Sequence, residues 1–287
     1  MTAVYKHEVK TYFTNVYGYV FSAFLLVFAG IYTMAYNLKG LYTNFEYVPA
    51  GMSFVFLIIV PIITMRVLAE ERKQKTDQLL YSLPIGMSRV ILGKYAALLT
   101  VCAVPTLIMC IYPIILSAFG NVYFPAAYGA VLAFYLLGAA LMAIGMFISS
   151  LTESQAVAAG ICFIVMLLNY FLAALASYIS TDAIASLAAF TVVVILIAIV
   201  VKLMAKSTFL AVLVGGVLEA ALIVFYIIDS SSFSGLFPDV IEKLSLFERF
   251  DVFIDGVFDI TGIVYFLSVI AVFLFLSVQS MEKRRWN

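Results

Sequence analysis

The chain has 287 residues, of which 65% are hydrophobic and only 11% are charged, and its formal net charge is zero. Soluble domains carry about a quarter charged residues, so this composition excludes a soluble protein and indicates a chain that crosses a membrane several times. The zero net charge also gives no electrostatic basis for a nucleic-acid partner. Because the apolar runs are long and uniform rather than alternating, the expected fold class is all-α.

Residues 1–17 predict an interfacial helix that lies on the inner leaflet of the membrane. Apolar and aromatic side chains recur there at helical spacing, while Lys6 and Lys10 fall on other positions of the helix. The alternative is an N-terminal tail without a fixed structure. The apolar positions are Tyr5, Val9, Tyr12, Phe13 and Val16.

Eight stretches are close to the 20 or so apolar residues that one crossing requires. Prolines inside the second and third stretches predict kinks. Small residues in the fourth predict close helix packing, which we prefer to a substrate path. These small residues are Gly138, Ala139, Ala143, Gly145 and Ser149. The eight predicted spans are 18–37, 51–69, 90–118, 126–150, 155–178, 186–204, 208–228 and 261–280.

The distribution of lysine and arginine predicts the orientation of these spans. If the N-terminus is cytoplasmic, all but three of the 16 Lys and Arg residues lie in or beside cytoplasmic segments. The exceptions are Lys39, Lys243 and Arg249. Because positive residues favour the cytoplasmic side, both termini are predicted to be cytoplasmic.

Residues 70–94, between the second and third predicted spans, are too charged to lie in hydrocarbon. Thr76 can cap a short helix that begins at Asp77 and ends at Pro84. A capped amphipathic helix of this kind is a candidate docking surface for another protein. Its apolar face would consist of Leu79, Leu80 and Leu83.

Residues 229–260 are predicted to be extracellular and amphipathic, with a helix between Pro238 and Gly256. This segment carries seven acidic residues, but they lack the spacing of a calcium-binding loop. A solvated helix face is therefore expected there, and no metal site.

No catalytic motif stands out in the chain. It contains no H-E-x-x-H or G-x-S-x-G pattern, and its single histidine, His7, cannot form a multi-histidine metal site or a histidine-based triad. The segment 86–94 resembles a phosphate loop only superficially, because six residues instead of four separate its glycines. We therefore expect no catalytic residue, cofactor or metal in this chain.

Glu219 is the one acidic residue placed deep in a predicted span. A charged acid at mid-bilayer costs about 2.5–3.5 kcal/mol on insertion scales, so it should be protonated, paired or in contact with water. It could serve as a proton relay or substrate contact, or it could be a neutral hydrogen-bonded packing residue. Gly215 and Gly216 would allow a neighbouring backbone to approach it.

The segment MRVLAEERKQKTDQLLYSLPIGMSRVILGK, residues 65–94, resembles the first cytoplasmic loop of type-2 ABC transporter permeases, in particular the gliding-motility and copper-site-maturation branch. The N-terminal residues YKHEVKTYFTNVYGYV and the last outer segment with the final span resemble the same family. Lys75 stands where the family usually has glycine, and Gln78 where it has glutamate. The family pattern E-x-x-x-G-T-x-E-x-L-x-x-L-P is represented by Glu71, Lys75, Thr76, Gln78, Leu80, Leu83 and Pro84.

This resemblance implies one transmembrane subunit of an ATP-driven exporter or mechanotransmitter in a bacterial plasma membrane. The 70–94 segment would dock as a coupling helix on a separate ATP-binding subunit, present in two copies, which binds ATP and Mg. A second permease copy or a related permease is implied, and a membrane-anchored auxiliary subunit is a further candidate partner. The residues assigned to coupling are Glu70, Glu71, Arg72, Thr76, Asp77, Gln78, Leu79, Leu80, Leu83, Pro84 and, in a second contact, Glu153.

The family usually has six spans, so residues 186–228 predict an extra transmembrane hairpin within a single 1–287 transmembrane domain. This hairpin carries Glu219. Two other functions stay open at this point: a secondary carrier or proton-coupled channel that uses Glu219, and an intramembrane enzyme.

Overall fold

The computed structural model describes residues 1–75, 86–205 and 208–285, and every regular element in those ranges is a helix. The predicted all-α fold class is therefore confirmed. The chain divides into two compact units. The main unit comprises Met1–Tyr170 and Arg249–Asn287, and the second unit comprises Phe171–Glu248.

The main unit contains the N-terminal helix and most of the long apolar helices. Its first helices are α1 (Thr2–Thr14), α2 (Tyr17–Thr33, continued by the π-helical Met34–Lys39), α3 (Tyr47–Met52), α4 (Phe56–Thr64) and α5 (Ala69–Lys73). They are followed by α6 (Met87–Met109), α7 (Ile111–Ser117), α8 (Phe124–Leu151), most of α9 (Gln155–Ser177) and, at the end of the chain, α14 (Ile260–Arg285).

The second unit is built on a pair of helices that pack against each other, α10 (Ala183–Ala205) and α11 (Thr208–Ile228). A 3-10 turn, Ser231–Phe233, and α12 (Leu236–Leu244) follow. The ring of Phe233 is fully buried and packs against aromatic side chains of both α10 and α11. Residues 186–228, the predicted extra hairpin, thus lie within this unit.

Six helical stretches among the described residues are long and apolar enough to cross a bilayer, and a seventh is possible if one bent pair forms a single span. The multi-pass prediction is confirmed, with six to seven candidate spans against the eight predicted. The difference arises in the second unit. There the apolar part of α10 among the described residues covers only Ala183–Ile199, and α11 makes an angle of 116° with the stretch that follows it, Ser231–Leu244. The six are Tyr17–Lys39, Tyr47–Lys73, Met87–Ser117, Phe124–Leu151, Gln155–Ser177 and Ile260–Lys283.

The second span is interrupted rather than continuous. Turns replace the helix between α4 and α5, which frees backbone N–H and carbonyl groups in a buried region. The hydroxyl of Ser149 in α8 satisfies three of them. It accepts hydrogen bonds from the N–H groups of Leu68 and Ala69 at 3.2 and 3.1 Å, and it donates to the carbonyl of Met65 at 3.1 Å.

Small residues in α8 allow this second span to approach closely, as the sequence predicts. A Cβ at Gly145 would lie only 2.3 Å from the hydroxyl oxygen of Thr64, and one at Gly138 would lie 2.8 Å from the ring of Phe56. The packing role proposed for these glycines is confirmed.

Helix α1 packs along the start of α6. The approach is close at Gly93, where a Cβ would lie 3.2 Å from both the Met1 carbonyl oxygen and Val4. The hydroxyl groups of Tyr5 and Thr100 are 3.0 Å apart and form a hydrogen bond. Residues 2–14 are therefore held against a membrane span.

The predicted outer helix between Pro238 and Gly256 is divided in two. Helix α12 ends at Leu244, and α13 (Leu246–Ile254) begins after a residue with extended backbone, Ser245. The Ser245 hydroxyl accepts a hydrogen bond from the N–H of Glu248 at 3.2 Å and so caps α13. The apolar period continues across this break, which is why the sequence alone predicts one helix.

Candidate functional site

A buried lysine joins three elements at one end of the main unit. The Lys94 ammonium lies 2.6 Å from an oxygen of Glu8 in α1 and 2.7 Å from an oxygen of Glu71 in α5. Only 3% of its side chain is exposed. Burying an ammonium group is costly unless it is paired and hydrogen-bonded, and the two carboxylates meet that requirement. We call Glu8, Lys94 and Glu71 the lysine triad.

A second ion pair joins Arg66, in the turns between α4 and α5, to Glu70 in α5. Arg66 donates two hydrogen bonds to the carboxylate of Glu70, from Nε at 2.7 Å and from Nη2 at 2.8 Å. Its guanidinium also lies over the ring of Tyr17, 3.9 Å from the centroid. A bidentate pair stacked on an aromatic ring fixes the orientation of the arginine. Tyr17 is the first residue of α2, so this contact links the first and second spans.

Arg72 connects the same region to the ends of the fourth and last spans. It is 4% exposed, and its Nη1 lies 3.5 Å from the carbonyl oxygen of Thr152, while Nη2 lies 3.6 Å from the sulfur of Met281. Nearby, Ser280 donates to the carbonyl of Ser150 at 3.3 Å. The ends of the second, fourth and last spans therefore meet at one end of the main unit.

The structure places only some of the residues predicted to contact an ATP-binding subunit. Glu70, Glu71 and Arg72 make the intramolecular contacts described above, and Glu153 is exposed beside Thr152. The predicted coupling helix and its cap lie outside the described residues. This applies to Thr76, Asp77, Gln78, Leu79, Leu80, Leu83 and Pro84.

Lys75, the last described residue before that segment, has a left-handed backbone with φ of 57°. Glycine adopts this conformation without strain, whereas other residues disfavour it. The position is the one at which the resembling permeases carry glycine. The left-handed backbone of Lys75 is therefore one that glycine would adopt without strain.

A cavity of about 500 Å³ opens beside the lysine triad and the Arg66–Glu70 pair. Its walls come from α1, the start of α2 and the second span. Apolar side chains such as Val20 and Ile62 line one part, and the charged groups line the other. Burial raises the pKa of Tyr12, which also lines the cavity, and the nearby Glu8 carboxylate raises it further, so this phenol stays neutral.

In the second unit, Glu219 lies in a groove between α10 and α11. Its Oε1 accepts a hydrogen bond from the Thr191 hydroxyl at 2.8 Å, and its Oε2 is buried without a hydrogen bond from the described residues. The groove has a volume of about 540 Å³ and is bordered by Gly215 and Gly216. Lys202, in the last turn of α10, also borders this groove.

The lysine triad was not identified from the sequence, although one signal could have revealed it. Lys94 follows the apolar start of the third predicted span, and a cation so close to hydrocarbon requires an acidic partner. Glu8 and Glu71 are 86 and 23 residues away along the chain, so only the tertiary structure identifies them. Among the described residues, no group of three potential ligands could hold a metal ion.

Comparison with known proteins identifies the family. A search of curated proteins and a search of solved structures each found no match. The sequence profile of the family described as "ABC-2 family transporter protein" matches residues 2–286, which is nearly the whole chain. The six to seven apolar helices agree with a permease of this kind. The chain therefore belongs to the ABC-2 transporter family, as a membrane-embedded permease subunit.

Proposed function

We propose that this permease works with a separate ATP-binding subunit that docks on the 70–94 segment from the cytoplasm. The family match over residues 2–286 is the observation that carries the proposal, because ABC-2 permeases imply an ATP-binding partner. The charged residues that precede the docking helix hold the segment in place, and the leucines at 79, 80 and 83 supply the contact surface.

The lysine triad supports this mechanism by connecting both ends of the segment. Glu71 lies in α5 at the end of the second span, and Lys94 lies in α6, seven residues after the start of the third span. Their pairing, together with Glu8, ties the base of the segment to α1. A displacement of the docked helix would therefore move the second span, the third span and α1 together. This is the mechanical requirement for coupling ATP hydrolysis to a membrane movement.

In the proposed assembly, two ATP-binding subunits bind ATP and Mg and act on two permeases, either two copies of this chain or this chain and a relative. Glu153 forms a second, smaller contact. The assembly works as an exporter or as a mechanotransmitter in a bacterial plasma membrane, with both termini of this chain in the cytoplasm. The second unit is a candidate contact for a membrane-anchored auxiliary subunit.

Co-purification tests this proposal directly. The chain is co-expressed with the ATP-binding subunit encoded beside it, and the ratio of the two proteins is measured after affinity purification. Replacement of Leu79, Leu80 and Leu83 by glutamate should reduce the ratio at least tenfold, because charged side chains cannot occupy an apolar groove.

The matched control changes exposed apolar residues at the opposite end of the main unit. Val257 and Phe258 are 55% and 60% exposed, and Phe258 lies near Gly129 at the start of α8. Their replacement by glutamate should leave the ratio unchanged. Equal co-purification of the leucine variant and the wild type would reject docking at this segment.

A further inference from the structure

We propose that the cavity beside the lysine triad binds a membrane phospholipid with a primary ammonium headgroup, that is, phosphatidylethanolamine. The proposal goes beyond the transport function and concerns this chain alone. It depends on two parts of the cavity lining and on the balance of charge in the second. We call the apolar part the wall (Val20, Phe21, Ile59 and Ile62) and the charged part the floor (Glu8, Arg66, Glu70, Glu71 and Lys94).

The apolar wall is suited to acyl chains. Val20 and Ile62 line the cavity and are 54% and 47% exposed, so their side chains are available to a bound molecule. Ile59 and Phe21 extend the same wall. Ile62 in α4 and Arg66 in the turns that follow α4 both line the cavity and are four residues apart in the chain. One molecule can therefore contact both the wall and the floor.

The floor carries more negative than positive charge. Three carboxylates line the cavity, those of Glu8, Glu70 and Glu71, against two cations, Arg66 and Lys94. Both cations already interact with these carboxylates. The Glu8 carboxylate accepts one hydrogen bond from the described residues, from Lys94 at Oε1, so it keeps lone pairs for a further donor. An ammonium group with N–H donors can bond to Glu8 and offset the excess negative charge of the floor.

The floor also retains donors suited to a phosphate. Arg66 uses Nε and Nη2 for Glu70, while its Nη1 donates no hydrogen bond to any residue in the described ranges. Arginine is the side chain best matched to phosphate oxygens. A zwitterionic headgroup with a phosphate near Arg66 and an ammonium near Glu8 therefore fits the charges better than an anionic headgroup. A volume of about 500 Å³ holds the headgroup, and the acyl chains continue along the wall into the bilayer.

Native mass spectrometry of the purified full-length chain tests the proposal. The protein is delipidated in detergent and mixed with equal amounts of phosphatidylethanolamine, its mono- and dimethyl derivatives, phosphatidylcholine and phosphatidylglycerol. Bound phosphatidylethanolamine should exceed phosphatidylcholine by about fivefold or more, and the methylated lipids should fall between them. Each methyl group removes one N–H donor while the positive charge is kept, so the series isolates the charge-assisted hydrogen bonds.

Cavity-filling variants locate the site. Ile62→Trp in α4 and Val20→Trp in α2 should each lower retained phosphatidylethanolamine to the level of phosphatidylcholine. The matched control is Ile58→Trp, because Ile58 lies one turn away in the same helix, is 42% exposed and does not line the cavity. Glu8→Gln should reduce the preference for phosphatidylethanolamine over phosphatidylcholine, because it removes one carboxylate. Circular dichroism verifies that every variant is folded.

Three results would overturn the proposal: equal retention of all the lipids, preferential retention of phosphatidylglycerol, or an equal loss from Ile58→Trp and Ile62→Trp. The experiment contains no ATP-binding subunit. Its failure would therefore leave the docking proposal intact, just as failed co-purification would leave the lipid proposal intact.

Discussion

Both units contain an ionisable residue within apolar surroundings, but they accommodate it differently. Lys94 in the main unit has two carboxylate partners on two other helices and is almost fully buried. Glu219 in the second unit accepts one hydrogen bond from Thr191 and borders an open groove. The first arrangement holds three elements in one geometry. The second holds one helix pair together and leaves space beside the acid.

This difference separates a structural charge from a candidate functional one. A buried charge with partners on several elements strongly destabilises the fold when it is removed, because its partners are left without compensation. An acid that bonds through one neutral donor contributes little to stability. The free energy of unfolding of matched variants in the two units therefore tests this difference between Lys94 and Glu219.

The largest effect is expected for Lys94→Met. This change leaves Glu8 and Glu71 close together without their cation, so the free energy of unfolding should fall by about 3–5 kcal/mol. Thermal or denaturant unfolding of the purified chain in detergent measures it. Arg89→Met, an exposed position earlier in the same helix, is the control and should have little effect. Similar losses for the two variants would show that the triad is not a structural centre.

The next largest change in the free energy of unfolding is expected from alanine substitutions at two glycines, one in each unit. Gly145→Ala should destabilise the chain by about 1–3 kcal/mol, because the new Cβ would lie 2.3 Å from the Thr64 hydroxyl oxygen. Gly216→Ala, in the open helix pair of the second unit, meets nothing within 4 Å and should be neutral or stabilising by up to about 1 kcal/mol. The same unfolding measurement applies, and a loss of stability at Gly216 would indicate that its groove is occupied.

Smaller changes in stability, of opposite sign, are expected at two residues with a left-handed backbone. Lys75 and Gly235 have φ of 57° and 76°, one in each unit. Lys75→Gly should raise the unfolding free energy by about 0.5–1 kcal/mol because it relieves backbone strain, and Gly235→Ala should lower it by about the same amount. Melting temperatures of both variants give the signs. A loss of stability in Lys75→Gly would mean that the lysine side chain contributes more than its backbone costs.

The smallest effect is expected for Glu219→Gln. The amide oxygen can still accept the Thr191 hydrogen bond, so the unfolding free energy should change by no more than about 0.5 kcal/mol. ATP-dependent transport in reconstituted vesicles should also continue. Loss of a flux that depends on a proton gradient, with no requirement for ATP, would instead support a proton-coupled carrier built on Glu219.

The sequence alone predicted the helical membrane fold, the family and the close packing at Gly145. These depend on composition, on a contiguous motif at residues 65–94 and on residue size, all of which can be read locally. The division at Ser245 was missed because the apolar period continues through it. The partners of Lys94 were missed because ion pairs across 86 residues depend on how α1 and α6 meet. The helix at Asp77–Leu83 lies outside the described residues and stays a prediction.

The hydroxyl of Ser149 has a consequence for which sequences this fold can accept. Ser149 is fully buried, and its oxygen serves two N–H groups and one carbonyl of the interrupted second span. Alanine would remove that oxygen, threonine would add a methyl group at a fully buried position, and cysteine would offer a larger, weaker acceptor. Serine is therefore the residue best suited to position 149, and among functional variants of this chain it should rarely be replaced.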